Sequence, residues 1–298
     1  MADQITTAFV QQYTTNIAML LQQEGSRIRP YVREQAFKGM AADFLEQFGS
    51  VSPTKNLSRH AQTPLSDVPQ NRRWVYPDDY DWGTLIDQQD RLRLLIDPAG
   101  PYTMAGAWAM GRAIDDEILS AVFGTAQTGQ TGTTAVTFPS GQIIANTVGA
   151  SAATGLNTEK LRAARKLLMA AEVDLDAEVP VAILSAIQFD NMLNETQAVN
   201  MDYTNKPVLT DGRITHFMGF DFVHSERIPG AANWQGGTVS GYQVPVFVKS
   251  GMGLGLWNDI QATVDRRPDL RNAWQVYVTG TFGASRTEEL RVVQINTV

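Results

Sequence analysis

The chain has 298 residues, of which 43% are apolar, so it is long enough to bury a large core in one or two domains. Its formal net charge of −7 excludes the general basic character that is typical of nucleic-acid-binding proteins. Because the sequence contains no cysteine, it excludes disulfides, thiolate metal sites and cysteine nucleophiles together.

The N-terminal segment predicts an amphipathic helix over residues 5–23. Phe9, Tyr13 and Ile17 recur on one side at helical spacing, and Gly25 ends the pattern. The segment lacks the basic region and apolar run of a signal peptide, and no stretch of the chain reaches the roughly 18 apolar residues of a membrane span. We expect a soluble protein whose first helix packs either on its own core or, as an arm, on a partner chain.

Residues 31–95 predict an extended segment rather than helices. Two extended stretches, 31–51 and 72–96, flank a polar loop that contains three prolines. A structureless loop of that length is uncommon in a compact domain and is usually a binding element or disordered. We therefore predict a long β-hairpin with a charged tip, whose contacts with neighbouring molecules involve Lys55, Arg59, Arg72, Arg73, Asp78, Asp79 and Asp81.

The clearest helical pattern covers residues 103–123. Thr103 is placed to cap its start just after Pro101, and Gly124 is placed to end it in a left-handed conformation. At 1.5 Å of rise per residue, this helix is roughly 30 Å long. Its apolar stripe consists of Met104, Ala107, Trp108, Gly111, Ile114, Ile118 and Val122.

A second helix is predicted over residues 158–172. Asn157 is its N-cap, and Leu156 and Leu161 are spaced as a hydrophobic staple. The basic residues of its first half predict a solvated face, namely Lys160, Arg162, Arg165 and Lys166.

From Pro180 the pattern changes to short strands. Residues 181–184 predict a buried strand, Ser185 caps a short helix, and residues 211–230 predict two short strands that meet at Gly219. Further strands are predicted over 244–249, 273–282 and 290–295. This order of elements indicates an α+β protein and not a βαβ repeat.

The sequence gives only weak signals for catalytic, phosphate-binding or metal-binding motifs. The glycine-rich stretch GMGLG at 251–255 is not followed by a helix, so a turn or bulge between strands is favoured over a phosphate loop. His60, His216 and His224 lack the spacing of zinc ligands on a helix. A metal-dependent hydrolase built on residues 180–242 would need His216 and His224 to share a metal with acidic partners. We predict no catalytic residue, cofactor or metal.

Taken in order, these segments resemble the major capsid (coat) protein of tailed bacteriophages, with its Hong-Kong-97-type shell fold. The resemblance covers nearly the whole chain and implies an N-terminal arm, an extended loop, a peripheral domain with a spine helix, and an inserted axial domain. The implied ranges are 1–30, 31–95, 96–179 with 243–298 (spine helix 103–123), and 180–242. The segment GRITHFMGFDFVHSERIPG resembles the family's strand–turn–strand pattern, and the last strands resemble its GA-R-x-E-x-x-V-x-I pattern through Gly283, Ala284, Arg286, Glu289 (one position late), Val292, Val293 and Ile295.

The resemblance implies a homo-oligomer of hexamers and pentamers, closed into an icosahedral shell around double-stranded DNA that is bound without sequence specificity. The charged loop residues and the arm residues Phe9, Tyr13 and Ile17 would contact neighbouring subunits. The resemblance also implies a portal. Many family members carry an N-terminal scaffolding segment, whereas this chain starts almost directly with its arm, so we expect any scaffolding protein to be separate. The expected location is the virion capsid, assembled in the host cytoplasm. Some members of the family link subunits through a lysine of the extended loop and an asparagine elsewhere, with the help of a buried glutamate. Lys55 is the only lysine near the loop tip, and the sequence does not identify the asparagine or the glutamate. Non-covalent locking by the loop charges is therefore favoured over cross-linking. An encapsulin-like nanocompartment, whose 5–23 helix would bind cargo, is the alternative.

Overall fold

The computed structural model of the chain describes residues 22–55, 62, 65–87, 99–195, 214–231, 233–235 and 240–298. These residues form three α-helices and fourteen β-strands, and they divide into two compact units. The smaller unit contains the described residues up to Ser26 together with 79–112 and 258–280. The larger unit contains 27–78, 113–257 and 281–298.

The helices are α1 (Ala99–Phe123), α2 (Thr158–Ala170) and α3 (Ala186–Asn194). The strands are β1 (Arg33–Ala36), β2 (Ala42–Phe48), β3 (Gln70–Val75), β4 (Asp78–Ile86), β5 (Ala126–Thr128), β6 (Thr134–Val136), β7 (Ile143–Ile144), β8 (Val181–Leu184), β9 (His216–Phe217), β10 (Phe220–His224), β11 (Tyr242–Phe247), β12 (Met252–Arg267), β13 (Ala273–Arg286) and β14 (Val292–Thr297). Among the described helices, none combines the length and apolarity that crossing a membrane requires.

Helix α1 begins four residues before the predicted start, so Thr103 lies inside it and does not cap it. Pro101 permits the earlier start, because a proline in the first turn lacks only a backbone N–H that would be unpaired anyway. The prediction for Gly124 was also wrong. It does not adopt a left-handed conformation, and its N–H donates to the carbonyl oxygen of Ser120 at 2.9 Å, as in a continuing helix.

The C-terminal half of α1 lies in the core of the larger unit. Ile114, Ile118 and Val122 are fully buried, as their three- and four-residue spacing predicts, and Leu119 joins them. The carboxylate of the buried Asp115 accepts hydrogen bonds from the backbone N–H groups of Arg27 and Ile28 at 3.0 and 3.1 Å. This side chain therefore fixes the segment that precedes β1 against the helix.

A six-stranded sheet with the order β7-β14-β11-β8-β10-β9 belongs to the larger unit. Strand β11 pairs with β14 on one side and with β8 on the other, where Val246 faces Ala182. The predicted inserted segment 180–242 therefore shares one hydrogen-bonded ladder with residues 243–298. Helix α2 packs on β14, and α3 packs on β8.

The turn predicted at Gly219 is confirmed. Strands β9 and β10 pair antiparallel, and the two residues between them, Met218 and Gly219, have φ angles of 53° and 81°. Two successive positive φ values define the two-residue turn that matches the twist of an antiparallel hairpin.

The segment predicted as one long hairpin divides among three ladders. Strands β2 and β3 pair antiparallel from Ala42 opposite Val75 to Phe48 opposite Gln70, within a sheet ordered β2-β3-β5-β6. Strand β1 instead pairs parallel with the start of β12, and β4 neighbours β13. The hairpin proper is therefore confined to residues 42–75.

The stretch GMGLG lies in a strand, contrary to the predicted turn. Residues 252–255 open β12 and are all buried, Met252 and Leu254 fully so, and β1 pairs with the strand from Gly253 to Leu256. The turn lies just before them, in a short 3-10 helix at Lys249–Gly251. Burial on both faces of the strand explains why its sequence does not alternate between apolar and polar residues.

In the smaller unit, the end of β12 (residues 258–267) and the beginning of β13 (residues 273–280) are neighbouring strands, and β4 lies beside β13. Two glycines let the N-terminal half of α1 come close to other segments of this unit. A Cβ atom on Gly106 would lie 2.7 Å from both Trp82 and Val278, and one on Gly111 would lie 2.5 Å from the backbone of Gly25.

Helix α2 has the predicted N-cap, since the side chain of Asn157 accepts from the N–H of Lys160 at 2.8 Å. The predicted solvated basic face is wrong at one position. Lys160 is fully buried, and its Nζ donates to the carbonyl oxygens of Thr154 and Gly155 at 2.7 and 2.8 Å. The preceding loop folds over this lysine, and burial lowers its pKa to about 8.

This burial predicts a pH-dependent stability. In the unfolded chain Lys160 regains its ordinary pKa of 10.5, so the unfolded state binds more protons than the folded state between pH 8 and 10.5. The free energy of unfolding should therefore rise across this window, by up to about 3 kcal/mol relative to a Lys160→Met variant, which cannot titrate. Urea titrations at pH 7.5, 9 and 10.5 measure the difference, and Lys166→Met, an exposed lysine of α2, is the control. Equal pH profiles for wild type and Lys160→Met would contradict the prediction.

Candidate assembly surfaces

The β2–β3 hairpin carries large apolar side chains that the described part of the subunit does not cover. Leu65 is 95% exposed and Phe48 is 66% exposed, and Val51 and Val68 are also exposed. All four lie at or beyond the distal end of the paired strands. Several large exposed apolar side chains on one element are typical of an interaction surface.

The hairpin charges predicted to contact neighbours differ in their surroundings. Lys55 is exposed in the loop, whereas Arg59 lies outside the described residues. Arg72 forms an ion pair across the hairpin with Glu46, and its Nε lies 3.5 Å from Asp43. Since these three side chains remain partly exposed, they can still reach a second molecule.

Arg73 lies inside the subunit, although the sequence predicted it at the surface. It is 3% exposed, its Nε donates to the carbonyl oxygen of Thr287 at 2.9 Å, and its Nη2 lies 2.5–2.6 Å from both carboxylate oxygens of Glu289. Adjacent residues of a strand point to opposite faces, which explains why Arg72 faces outward and Arg73 inward.

Strand β4 supplies the acidic residues of the prediction. Asp78, Asp79 and Asp81 are all exposed. The strand forms one edge of its sheet, where carboxylates on the edge hinder indiscriminate strand pairing. The arm residues Phe9, Tyr13 and Ile17 lie outside the described residues.

An arginine close to the last strand of the chain caps the C-terminal end of α1. Arg286 is fully buried, and its Nη1 donates to the carbonyl oxygens of Val122 and Gly124 at 2.8 and 2.9 Å. Its Nη2 donates to the carbonyl oxygen of Val136, and its guanidinium lies 5.2 Å from the ring centre of Phe138. Carbonyl groups at a helix C-terminus lack helical partners, so a buried cation there satisfies both their hydrogen bonds and the helix dipole.

Arg73 and Arg286 share one carboxylate. Glu289 binds Arg73 directly, and its Oε1 lies 3.7 Å from Nε of Arg286. Burial, together with the nearby charge of Arg73, lowers the pKa of Arg286, and Glu289 opposes this shift. Nη1 of Arg73 and Nε of Arg286 are buried without a hydrogen-bond partner among the described residues. Arg73 and Arg286 therefore place two positive charges beside the single negative charge of Glu289.

Sequence reasoning missed this arrangement. Arg286 and Glu289 were noted as parts of a family pattern, but nothing in their spacing indicated that they meet Arg73, which is 216 residues from Glu289. The signal available in the sequence was the presence of a basic residue, Arg286, and an acidic residue, Glu289, between the apolar positions of two predicted strands. Such residues are rarely buried unless they are paired.

The two histidines of the hydrolase alternative bind different partners. His216 Nδ1 lies 2.7 Å from Asp221, whereas His224 contacts Arg27 through Nδ1 and Glu226 through Nε2, each at 3.0 Å. In the described ranges, no group of three or more histidine and acidic residues is arranged to hold a metal ion. The third histidine, His60, lies outside the described residues.

Comparisons with known structures show the fold. The chain superimposes on the cyanophage Pam1 capsid asymmetric unit with a TM-score of 0.71 and 16% identity, covering 100% of this chain and 99% of the other. The Ralstonia phage GP4 capsid gives a TM-score of 0.71 at 10% identity, with coverage of 97% and 95%. The capsid of an empty GTA particle, computed with C5 symmetry, gives 0.64 at 14% identity, with coverage of 100% and 98%.

A comparison with curated proteins gave no match. The family model described as "Phage capsid protein" matches residues 5–298, which is almost the entire sequence. A match of this extent includes the hairpin, both long strands, all three helices and the six-stranded sheet. The chain belongs to the phage capsid protein family.

Proposed function

We propose that this major capsid protein assembles as hexamers and pentamers into a closed icosahedral shell that encloses the double-stranded DNA of a tailed phage. The observation that carries the proposal is the exposure of large apolar residues on the β2–β3 hairpin, which the described part of the subunit does not cover and which a neighbouring subunit would cover in a shell. A neighbour solved with C5 symmetry supports the pentamers. The family and the capsid neighbours indicate the virion capsid as the location.

The charge of the chain supports enclosure of DNA without specific binding. A net charge of −7 is unsuited to tight phosphate contact, which draws on lysine and arginine. Packaging would therefore rely on a portal and its motor, and assembly on a separate scaffolding protein in the host cytoplasm. These partners are part of the proposal.

The subdomains of the Hong-Kong-97-type fold are proposed with adjusted limits. We assign the extended loop to the hairpin within 31–95 and the N-terminal arm to residues 1–30. The axial domain would extend beyond 180–242, because β11 and β14 belong to the same sheet as β8 and β10. Helix α1 would be the spine helix of the peripheral domain.

Electron microscopy of the purified protein, expressed alone and with a scaffolding partner, tests the function. Closed shells that package DNA in the presence of a portal would support the proposal. Shells that enclose only protein would instead favour the nanocompartment. A uniform small oligomer under all conditions would contradict shell formation altogether.

A charge reversal tests the proposed acidic contact. Asp81 is exposed and has no described partner, so Asp81→Arg should leave the melting temperature of the free subunit within about 2 °C, because surface changes shift stability little. In the proposed contact Asp81 faces a basic residue of the neighbouring subunit, which the new arginine would repel. Such a contact between like charges costs several kcal/mol. Shell yield, measured by gradient sedimentation, should therefore fall at least tenfold. Asp81→Asn removes the charge without adding repulsion and should lower the yield less. A normal yield for Asp81→Arg would exclude Asp81 from the interface.

A further inference from the structure

We infer that Arg73 is a positioning residue for assembly: it sets the direction of the β2–β3 hairpin by tying it to residues Arg286–Glu289. We call Arg73, Arg286, Thr287 and Glu289 the clamp. This inference rests on the proposed function, because it gives the clamp the task of presenting the hairpin to a neighbouring subunit.

The clamp holds both strands of the hairpin at one point. Gln47 of β2 and Arg73 of β3 donate to the same carbonyl oxygen, that of Thr287. Arg73 also binds both oxygens of Glu289. Among the described residues, the other hydrogen bonds between the hairpin and the rest of the subunit involve β3, where Trp74 donates to the carbonyl oxygen of Gly129 at 2.7 Å and β3 pairs with β5.

The other side of the clamp belongs to the rigid core. Arg286 joins the end of α1 to β13 through the carbonyl oxygens of Val122, Gly124 and Val136. Thr287 is itself held, since its N–H donates to the carbonyl oxygen of Gly251 at 3.0 Å and its hydroxyl donates to that of Ser250. The hairpin is therefore tied to a segment that cannot move without disturbing the core.

The charges around Arg73 allow this side chain to be removed while the core around Arg286 stays intact. With Arg73 present, one carboxylate serves two buried guanidinium groups, and each arginine has one buried nitrogen that lacks a hydrogen-bond partner in the described part of the chain. If Arg73 is removed, Glu289 remains to neutralise Arg286, and the helix end stays closed. Breaking a buried ion pair is costly mainly because it strands a charge, and this change strands none.

The test uses hydrogen exchange on the unassembled subunit, with Arg73→Met compared to Arg72→Met. Arg73→Met should lower protection in residues 42–48 and 70–75 at least tenfold, while the end of α1 and β14 change less than twofold. Arg72→Met removes only the partly exposed ion pairs with Glu46 and Asp43, which contribute little to stability, so protection in all these segments should change less than twofold. Assembly of Arg73→Met should then yield fewer closed shells and more irregular ones.

A second variant covers the case in which Arg73→Met does not fold. Arg73→Lys keeps the charge, but its single ammonium group cannot reproduce the planar fork that binds the carbonyl oxygen of Thr287 and both oxygens of Glu289, so it should lower hairpin protection. Unchanged protection of the hairpin in whichever variant folds would overturn the inference, as would an equal loss of protection in α1 and β14. Because exchange is read on free subunits, a wild type that never forms shells would refute the proposed function and leave this measurement valid.

Discussion

Replacing Arg286 with methionine should lower the free energy of unfolding by about 3–5 kcal/mol, because it removes hydrogen bonds at the end of α1. The guanidinium of Arg286 donates hydrogen bonds to three carbonyl oxygens, those of Val122, Gly124 and Val136, in a buried bond to the first and partly buried bonds to the other two. Each buried acceptor left without a donor costs about 1–3 kcal/mol, and the cation also complements the dipole of α1. Urea unfolding of the free subunit, followed by circular dichroism, measures the loss.

Two further variants isolate the cause. Arg286→Lys keeps the charge, but its single ammonium group cannot reproduce the planar fork, so we expect it to recover less than half of the loss. Arg266→Met removes an exposed arginine and should change stability by no more than about 0.5 kcal/mol. A loss below 1 kcal/mol for Arg286→Met would show that the helix end does not depend on this side chain.

Replacing Gly111 with alanine should destabilise the smaller unit by about 3 kcal/mol. The added Cβ would lie 2.5 Å from the carbonyl carbon and 2.6 Å from Cα of Gly25, and 2.6 Å from the backbone nitrogen of Ser26. These are backbone atoms, so no side chain can rotate away, and the segment before Arg27 would have to move. Thermal unfolding of the free subunit, with exchange in residues 22–26, measures the effect.

Gly100 of the same helix provides the matched control. No described atom lies within 4 Å of a Cβ placed there, and alanine favours a helix by up to about 1 kcal/mol over glycine. Gly100→Ala should therefore be neutral or stabilising. If Gly111→Ala behaved in the same way, the close approach of the backbone at Gly25 would be refuted.

Features set by neighbouring residues could be predicted from the sequence. The cap at Asn157, the turn at Met218–Gly219 and the buried face of α1 depend on local hydrogen bonding, on glycine conformation and on apolar spacing. Each of these signals lies within a few positions of the element that it specifies. The same holds for strand β8, a short apolar run between turn signals.

Features set by distant residues could not be predicted. Arg73 and Lys160 were expected to be exposed because charged side chains usually are, and their burial depends on Glu289 in one case and on the loop at Thr154 in the other. The parallel pairing of β1 with β12 joins residues more than two hundred positions apart and leaves no periodic trace. For that reason the sequence alone predicts one hairpin over 31–95.

Family resemblance supplied what local patterns could not. It linked the extended segment, the long helix and the closing strands into one architecture, and the match over residues 5–298 agrees with it. It did not specify which side chains join them. The clamp residues are visible only when the strands are placed in space.

The position of β14 affects the order of events during synthesis. This strand lies between β7 and β11, yet every other strand of its sheet leaves the ribosome earlier. A nascent chain can complete the β2–β3 pair and α1 well before this sheet can close. Until residue 297 emerges, β11 lacks a ladder partner along one edge, and the subunit cannot present its finished surface. The six-stranded sheet, and any contact between subunits that depends on it, can therefore form only after residue 297 has been synthesised.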